Sequence, residues 1–248
     1  MSPLAAEKKV IIGLGMYNPP YIIQETLAGI EPDVLRESFK VRGYHVEFTV
    51  HQFPRLFKEL ESGTVDGVFD VREGVEGFKS DVVVSYQNYA ISLSENRLAI
   101  KSIKDLEDKS VVSFYKSSQL LGEEYEKMAK QNKNYEEVMA QNLQVKMLFR
   151  KRVEVVIMDK NIFSYYRQKE MEKESTEDMH GSELSVFNQQ VDFHALFPPK
   201  EYGYIFNSEE VRDDFNEGLR AIKQNGTYSK INQKYYCLGK LSDTANCQ

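Results

Sequence analysis

The chain has 248 residues, enough for one large domain or two of ordinary size, and either arrangement buries a substantial core. Hydrophobic residues at 41% and charged residues at 28% exclude global disorder, and a net charge of −6 with scattered basic residues argues against nucleic acid or an anionic membrane as the main partner. No run approaches the roughly 20 apolar residues that cross a bilayer, and Met1–Lys9 lacks the apolar centre of a signal peptide, so an exported protein would have had its leader removed.

The predicted elements alternate between strand and helix. Residues 9–15, Lys-Val-Ile-Ile-Gly-Leu-Gly, read as a buried strand that opens into the loop Met16-Tyr17-Asn18-Pro19-Pro20-Tyr21, whose prolines exclude helix and central strand. Val34, Leu35, Ser38 and Val41 give Glu31–Arg42 a helical period, stopped by Gly43. His45–Val50 alternates as a strand, Phe53–Leu60 is a short helix, and Asp66–Phe69 and Asp81–Ser85 are strand-like. The middle continues with a strand at Lys109–Phe114, helices at Ser117–Lys130 and Ala140–Lys151, a strand at Val153–Met158 and a helix at Asn161–Gln168. The charge-rich run Arg167–Asp178 reads as a solvated helix end or surface loop. Near the end, Tyr202–Phe206 is a short buried strand, and Ser208 is an N-cap with Glu209 and Glu210 in the favoured first turn. Val211, Phe215, Leu219 and Ile222 form an apolar face, and Gly226 ends that helix before another begins. This alternation implies βαβ units and mostly parallel sheets.

Sequence signals for common chemistries are missing. His45, His51, His180 and His194 have no metal-ligand spacing, and there is no Walker loop, nucleophile elbow or zincin helix. Gly13-Leu-Gly15 lacks the third glycine of a dinucleotide fingerprint and runs into Pro19-Pro20, so no cofactor is expected. Cys237 and Cys247 lie ten positions apart, a separation open to a disulfide in an oxidising compartment or to two free thiols in the cytosol.

Taken in order, Asn18-Pro-Pro-Tyr21, Gly29–Leu35, Leu60–Gly67, Ser85–Tyr89, Ile103–Val112, Arg152–Asp159 and the Tyr202–Tyr236 tail resemble the family 3 extracellular solute-binding proteins, the amino-acid type of periplasmic binding protein. The resemblance implies an α/β fold of two lobes joined by two crossover strands with an interlobe cleft, lobe one holding residues 1–90 and 201–248 and lobe two 91–200. Hinge closure on a small ligand would be its mechanism. It also implies a periplasmic location, a Cys237–Cys247 disulfide, a monomer, and a small-molecule ligand passed to the membrane permease of an ABC transporter. The alternative it leaves open is a ligand-sensing module feeding a signalling receptor. A few relatives of the fold are enzymes that use a cleft carboxylate, a role open to Glu73 or Asp159 only with a raised pKa and a partner group; the reading is therefore a binding protein.

The resemblance also places a candidate site. Tyr17 and Tyr21 stand where the family presents an aromatic wall, although either fits ordinary loop packing. Lys116-Ser117-Ser118 stands at the family's Gly-Thr-Thr cradle, where hydroxyls and free N–H groups suit an anion; alternatively Ser117 is only an N-cap. Asp159 matches an acid that holds a ligand amino group, or caps the next helix through the Asn161 and Ile162 N–H groups. The family's carboxylate-binding arginine is replaced: an ungapped count puts Phe78 in its place, Glu73 where a hydroxyl is expected and Leu14 where an acid is common. Arg72 lies six positions early, in a loop that Gly74 and Gly77 make adaptable. Asp70, Glu73 and Asp159, with Tyr17, Tyr21, Phe78, Phe114 and Tyr115, would form an acidic, aromatic cleft that favours a cation.

Overall fold

The computed structural model describes residues 8–15, 18–23, 25–177 and 185–236. The chain begins with β1 (Lys8–Leu14), α1 (Ile30–Val41), β2 (Tyr44–Val50), α2 (Phe53–Glu61), β3 (Gly67–Phe69), β4 (Phe78–Lys79) and β5 (Val84–Tyr86). It continues through β6 (Asn88–Leu93), β7 (Val111–Phe114), α3 (Ser117–Leu120), α4 (Glu123–Gln131), β8 (Tyr135–Val138), α5 (Gln141–Phe149), β9 (Val155–Asp159), α6 (Lys160–Glu177) and β10 (Val191–His194). It ends with β11 (Lys200–Tyr202), β12 (Tyr204–Phe206), α7 (Glu209–Gln224) and α8 (Thr227–Tyr236). Two compact units result: the described residues up to Ser85 together with those from Glu201 onward, and Tyr86–Lys200. β5 and β11 carry the chain's two passages between them. The first passage comes five residues before the expected 90/91 boundary, because β6 pairs along its length with β9 and β10.

In the first unit the sheet order is β2-β1-β3-β12-β4, with β1 parallel to β2 and β3, and β12 antiparallel to β3 and β4. Side chains alternate across β12, and this divides the core. Ile205 joins Leu56, Phe57, Leu60 and Val68 on the α2 side. Phe206 meets Phe39 of α1 and Phe215 of α7, with ring centroids 5.9 and 5.3 Å away. The segment expected as one strand at Tyr202–Phe206 is therefore two, parted at Gly203.

α7 follows its sequence signals: the Ser208 Oγ accepts the Val211 N–H at 3.4 Å, and Phe215, Leu219 and Ile222 are buried. α7 lies so close to α1 that a Cβ at Gly218 would stand 2.0 Å from the Ser38 carbonyl oxygen. The Asp214 carboxylate ties the same helix to the sheet margin, accepting from Arg42 Nε at 2.9 Å, Tyr44 OH at 2.8 Å and Lys8 Nζ at 3.3 Å. Burial alone would raise this carboxyl, but those bonds outweigh it and hold the group below its ordinary range.

In the second unit the order is β10-β6-β9-β7-β8, with β7 parallel to β8 and β9 and the β6 pairings antiparallel. Tyr125, Met128, Val111, Val155, Ile157 and Phe197 share its core. The helix expected over Ser117–Lys130 is broken into α3 and α4 at Gly122, whose φ of +101° lies outside the helical range. The charge-rich run after Gln168 continues α6 as helix, and its start is anchored: Arg167, only 6% exposed, donates to the Phe187 and Gln189 carbonyls at 2.7 and 2.8 Å. Glu170 is likewise buried, against Lys146 at 3.1 Å.

Gly218→Ala is expected to destabilise the protein by about 2–3 kcal/mol, since backbone cannot yield as a side chain can. Chemical denaturation with an unchanged m-value and a lowered midpoint is the check.

Candidate functional site

In open parallel sheets the loops at the carboxyl ends of strands carry ligand chemistry. At that edge of the second unit, β7 ends in the segment Phe114-Tyr115-Lys116-Ser117-Ser118. Lys116 takes a left-handed conformation at φ +63°, where the family pattern has glycine. Ser117 is fully buried, and its Oγ lies 2.8 Å from the Tyr135 hydroxyl. The neighbouring donors converge on the carboxylate of Glu137, a residue of β8. Its Oε2 accepts the Lys116 N–H at 2.7 Å, and its Oε1 accepts the Ser118 N–H and the Tyr135 hydroxyl, each at 2.9 Å, and the Ser117 hydroxyl at 3.2 Å. Burial would raise the Glu137 carboxyl, but the donors from Ser118, Tyr135 and Lys116 prevail and bring it down to about 2. Burial pushes the Tyr135 hydroxyl up.

Asp159 ends β9 and is 4% exposed. Its Oδ1 accepts the Asn161 and Ile162 N–H groups at 2.9 and 3.1 Å, and its Oδ2 accepts the Gln87 N–H at 2.9 Å. These are the N-cap bonds of α6, so the helix-capping role is realised. Apolar side chains project from the same strand-end loops: Tyr115 is 54% exposed and Met139 82%, and the Lys116 ammonium sits 5.4 Å from the Tyr115 ring.

In the first unit four of the expected residues, Asp70, Arg72, Glu73 and Phe78, lie on one segment, 70–79. Asp70 receives the Lys79 ammonium at 2.8 Å. That bond, with Glu73 nearby, raises the Lys79 pKa. Arg72 rests its guanidinium over the Phe57 ring at 4.6 Å. Phe78 is partly exposed, with the Arg212 guanidinium 5.8 Å from its ring. Tyr21 is fully buried, and its carbonyl accepts the Glu31 N–H at 3.1 Å at the start of α1. Tyr17, Cys237 and Cys247 lie outside the described residues. Among the described residues no group of three or more His, Cys, Asp or Glu is placed to hold a metal, and no helix is long and apolar enough to cross a membrane.

Residues 10–237 match the family model of bacterial extracellular solute-binding proteins, family 3. The chain belongs to this family. It is 28% identical over 235 residues to the L-cystine-binding protein TcyA of Bacillus subtilis (strain 168), across 90% of this chain and 78% of that one. An ancestral cationic amino acid solute-binding protein superimposes with a TM-score of 0.67 at 17% identity, over 92% of this chain and 95% of that one. A histidine kinase sensor domain with similarity to periplasmic binding proteins gives 0.62 at 17% identity, over 92% and 96%. At those identities the structural likeness is one of fold, the α/β fold of periplasmic binding proteins. The family is one of solute binders rather than enzymes.

Within this family member, the structure gathers Tyr115, Ser117, Ser118 and Asp159 at one edge of the second unit's sheet. Asp70, Arg72, Glu73 and Phe78 share one segment of the first unit. Two participants were not expected. Glu137 lies about twenty positions from three of the donors it meets, Lys116, Ser117 and Ser118, and only Tyr135 is near it in sequence; Lys79 is paired with an acid nine positions upstream.

Asp159→Ala removes the α6 cap and is expected to cost about 1–2 kcal/mol, read as a lowered denaturation midpoint. Glu137 gives a pH signature. Its folded-state pKa of about 2 lies below the ordinary 4.5, so its stabilisation is complete above pH 4.5 and is lost as pH falls towards 2. The stability gap between the wild type and Glu137→Gln is expected to narrow over that interval, and melting curves at stepped pH measure it.

Proposed function

We propose that this family 3 protein captures a small, amine-bearing, amino-acid-like solute outside the cytoplasmic membrane and delivers it to the permease of an ABC transporter. The observation that carries this reading is the match of the family model along residues 10–237, supported by the likeness to an L-cystine-binding protein. The amine preference is supported by the local chemistry. Glu73 places acid on the exposed segment 70–79, beside an Asp70 already paired with Lys79, and Phe78 stands where a carboxylate-binding arginine is expected. Tyr115 offers an exposed aromatic face, and aromatic faces and carboxylates both attract ammonium groups. Asp70, Glu73 and Phe78 of the first unit, and Tyr115 and Asp159 of the second, are the residues proposed to contribute; the fully buried Tyr21 is not among them. Arg72 serves there as a stacked cation over Phe57 rather than as a carboxylate clamp.

Binding in this reading is non-covalent, and the solute leaves unchanged. A signalling receptor in place of the permease is the second reading, supported by the sensor domain that shares the fold.

A thermal-shift screen of the purified protein against L-cystine, L-arginine, L-lysine, polyamines and dicarboxylic acids tests the proposal. An amine-bearing compound at about 100 times its dissociation constant is expected to add about 2.7 kcal/mol of stability and to be recovered intact. Stabilisation by dicarboxylic acids alone, or conversion of the bound compound, would overturn it.

A further inference from the structure

The donors around Glu137 have the composition of a carboxylate receptor. Two backbone N–H groups, from Lys116 and Ser118, and two hydroxyls, from Ser117 and Tyr135, meet one carboxylate at 2.7 to 3.2 Å. Charge-assisted bonds of this kind are the strong ones, and four of them use nearly all the acceptor capacity of a carboxylate. The receptor is part of the fold itself: Ser117 is fully buried, Tyr135 lies beside the buried Tyr125 with ring centroids 6.0 Å apart, and the left-handed Lys116 turns the segment toward β8. The occupant is supplied by the chain. Glu137 stands opposite Ser113 in the β7–β8 register, at the strand ends from which the exposed Tyr115 and Met139 project.

We infer that Glu137 is a specificity-determining residue: an internal carboxylate that fills this receptor and bars a ligand carboxylate from it. A second carboxylate brought to the same place would meet a like charge and find its donors already used. Taking the receptor would require displacing Glu137 and breaking four bonds at once. The solute end that meets this edge of the second unit is therefore a neutral or cationic one, set against the Tyr115 ring and the Met139 thioether. The preferred solutes are amines that lack the α-carboxylate of an amino acid. This inference rests on the proposed capture of an amine-bearing solute, and it narrows the class.

Two measurements on the full chain test it. The first is chemical rescue with formate, a bare carboxylate, which needs no knowledge of the solute. Glu137→Ala is expected to melt below the wild type and to be raised by formate, whereas the wild type stays unmoved. If the variant folds only with formate present, the rescue is read from that dependence. The second compares matched pairs differing only in the carboxylate: lysine with cadaverine, arginine with agmatine, cystine with cystamine. The wild type is expected to bind the decarboxylated member of a pair more tightly, and Glu137→Gln, which keeps the side-chain shape, to shift the ratio about tenfold toward the amino acid. A wild type that prefers the amino acids, a ratio unmoved in Glu137→Gln, or no effect of formate on Glu137→Ala would each reduce Glu137 to a structural hydrogen-bond partner and overturn the inference. If no member of any pair binds wild type or variant, the amine-capture reading fails, and the formate result still decides whether the receptor holds an anion.

Discussion

The first unit depends on three residues that arrive late in the chain. Tyr204, Ile205 and Phe206 are fully buried, and β12 lies between β3 and β4. Its two faces complete two separate apolar clusters, Ile205 under α2 and Phe206 between α1 and α7. β4 joins the sheet through β12, and the Asp70 N–H is held by the Gly203 carbonyl at 3.0 Å. The segment 70–79, with its acids and Phe78, is thus positioned by backbone that follows the second unit in the sequence. A sheet built in this way ties the exposed segment 70–79 to the core of the unit.

The second unit shows a different economy, in which acidic side chains serve as acceptors for backbone N–H groups at element ends. Glu137 does so for the segment after β7, Asp159 for the start of α6, Glu154 for Ser110, and Asp105 for Lys101 and Ser102. Asp105 is held below its ordinary range by the Lys101 and Ser102 hydrogen bonds. Glu137 is held low in the same way, by donors from Ser118, Tyr135 and Lys116. The acids at these element ends act as part of the backbone hydrogen-bonding scheme.

What could be read from the chain follows the range of each interaction. The Ser208 cap and the apolar face of α7 are local, each resting on residues three or four positions apart, and β1, α1 and β2 each carry their own period. Asp159 as a cap was legible for the same reason, since Asn161 and Ile162 are its near neighbours. β4 escaped notice because two residues carry no period, and β8 because Tyr-Glu-Glu-Val gives a strand no apolar face. Gly122 shows only as a glycine in a helical pattern until its φ is known. Arg167 looked solvated because charge predicts exposure, while the carbonyls it anchors to belong to Phe187 and Gln189. Glu137 was hidden for the deepest reason: its significance lies in which donors it meets, and parallel pairing of β7 with β8 decides that.

Synthesis runs from the N-terminus, so β1, β2 and β3 exist well before β12 does. Through that interval Val68, Leu56 and Phe39 lack the two side chains that will cover them, and β3 presents an unpaired edge. The second unit is contiguous from Tyr86 to Lys200, and every strand of its sheet is present once His194 has emerged. Assembly therefore has an order: the inserted unit closes first, the interrupted unit last, and the half-built sheet is the surface on which a chaperone, or another nascent chain, has time to act.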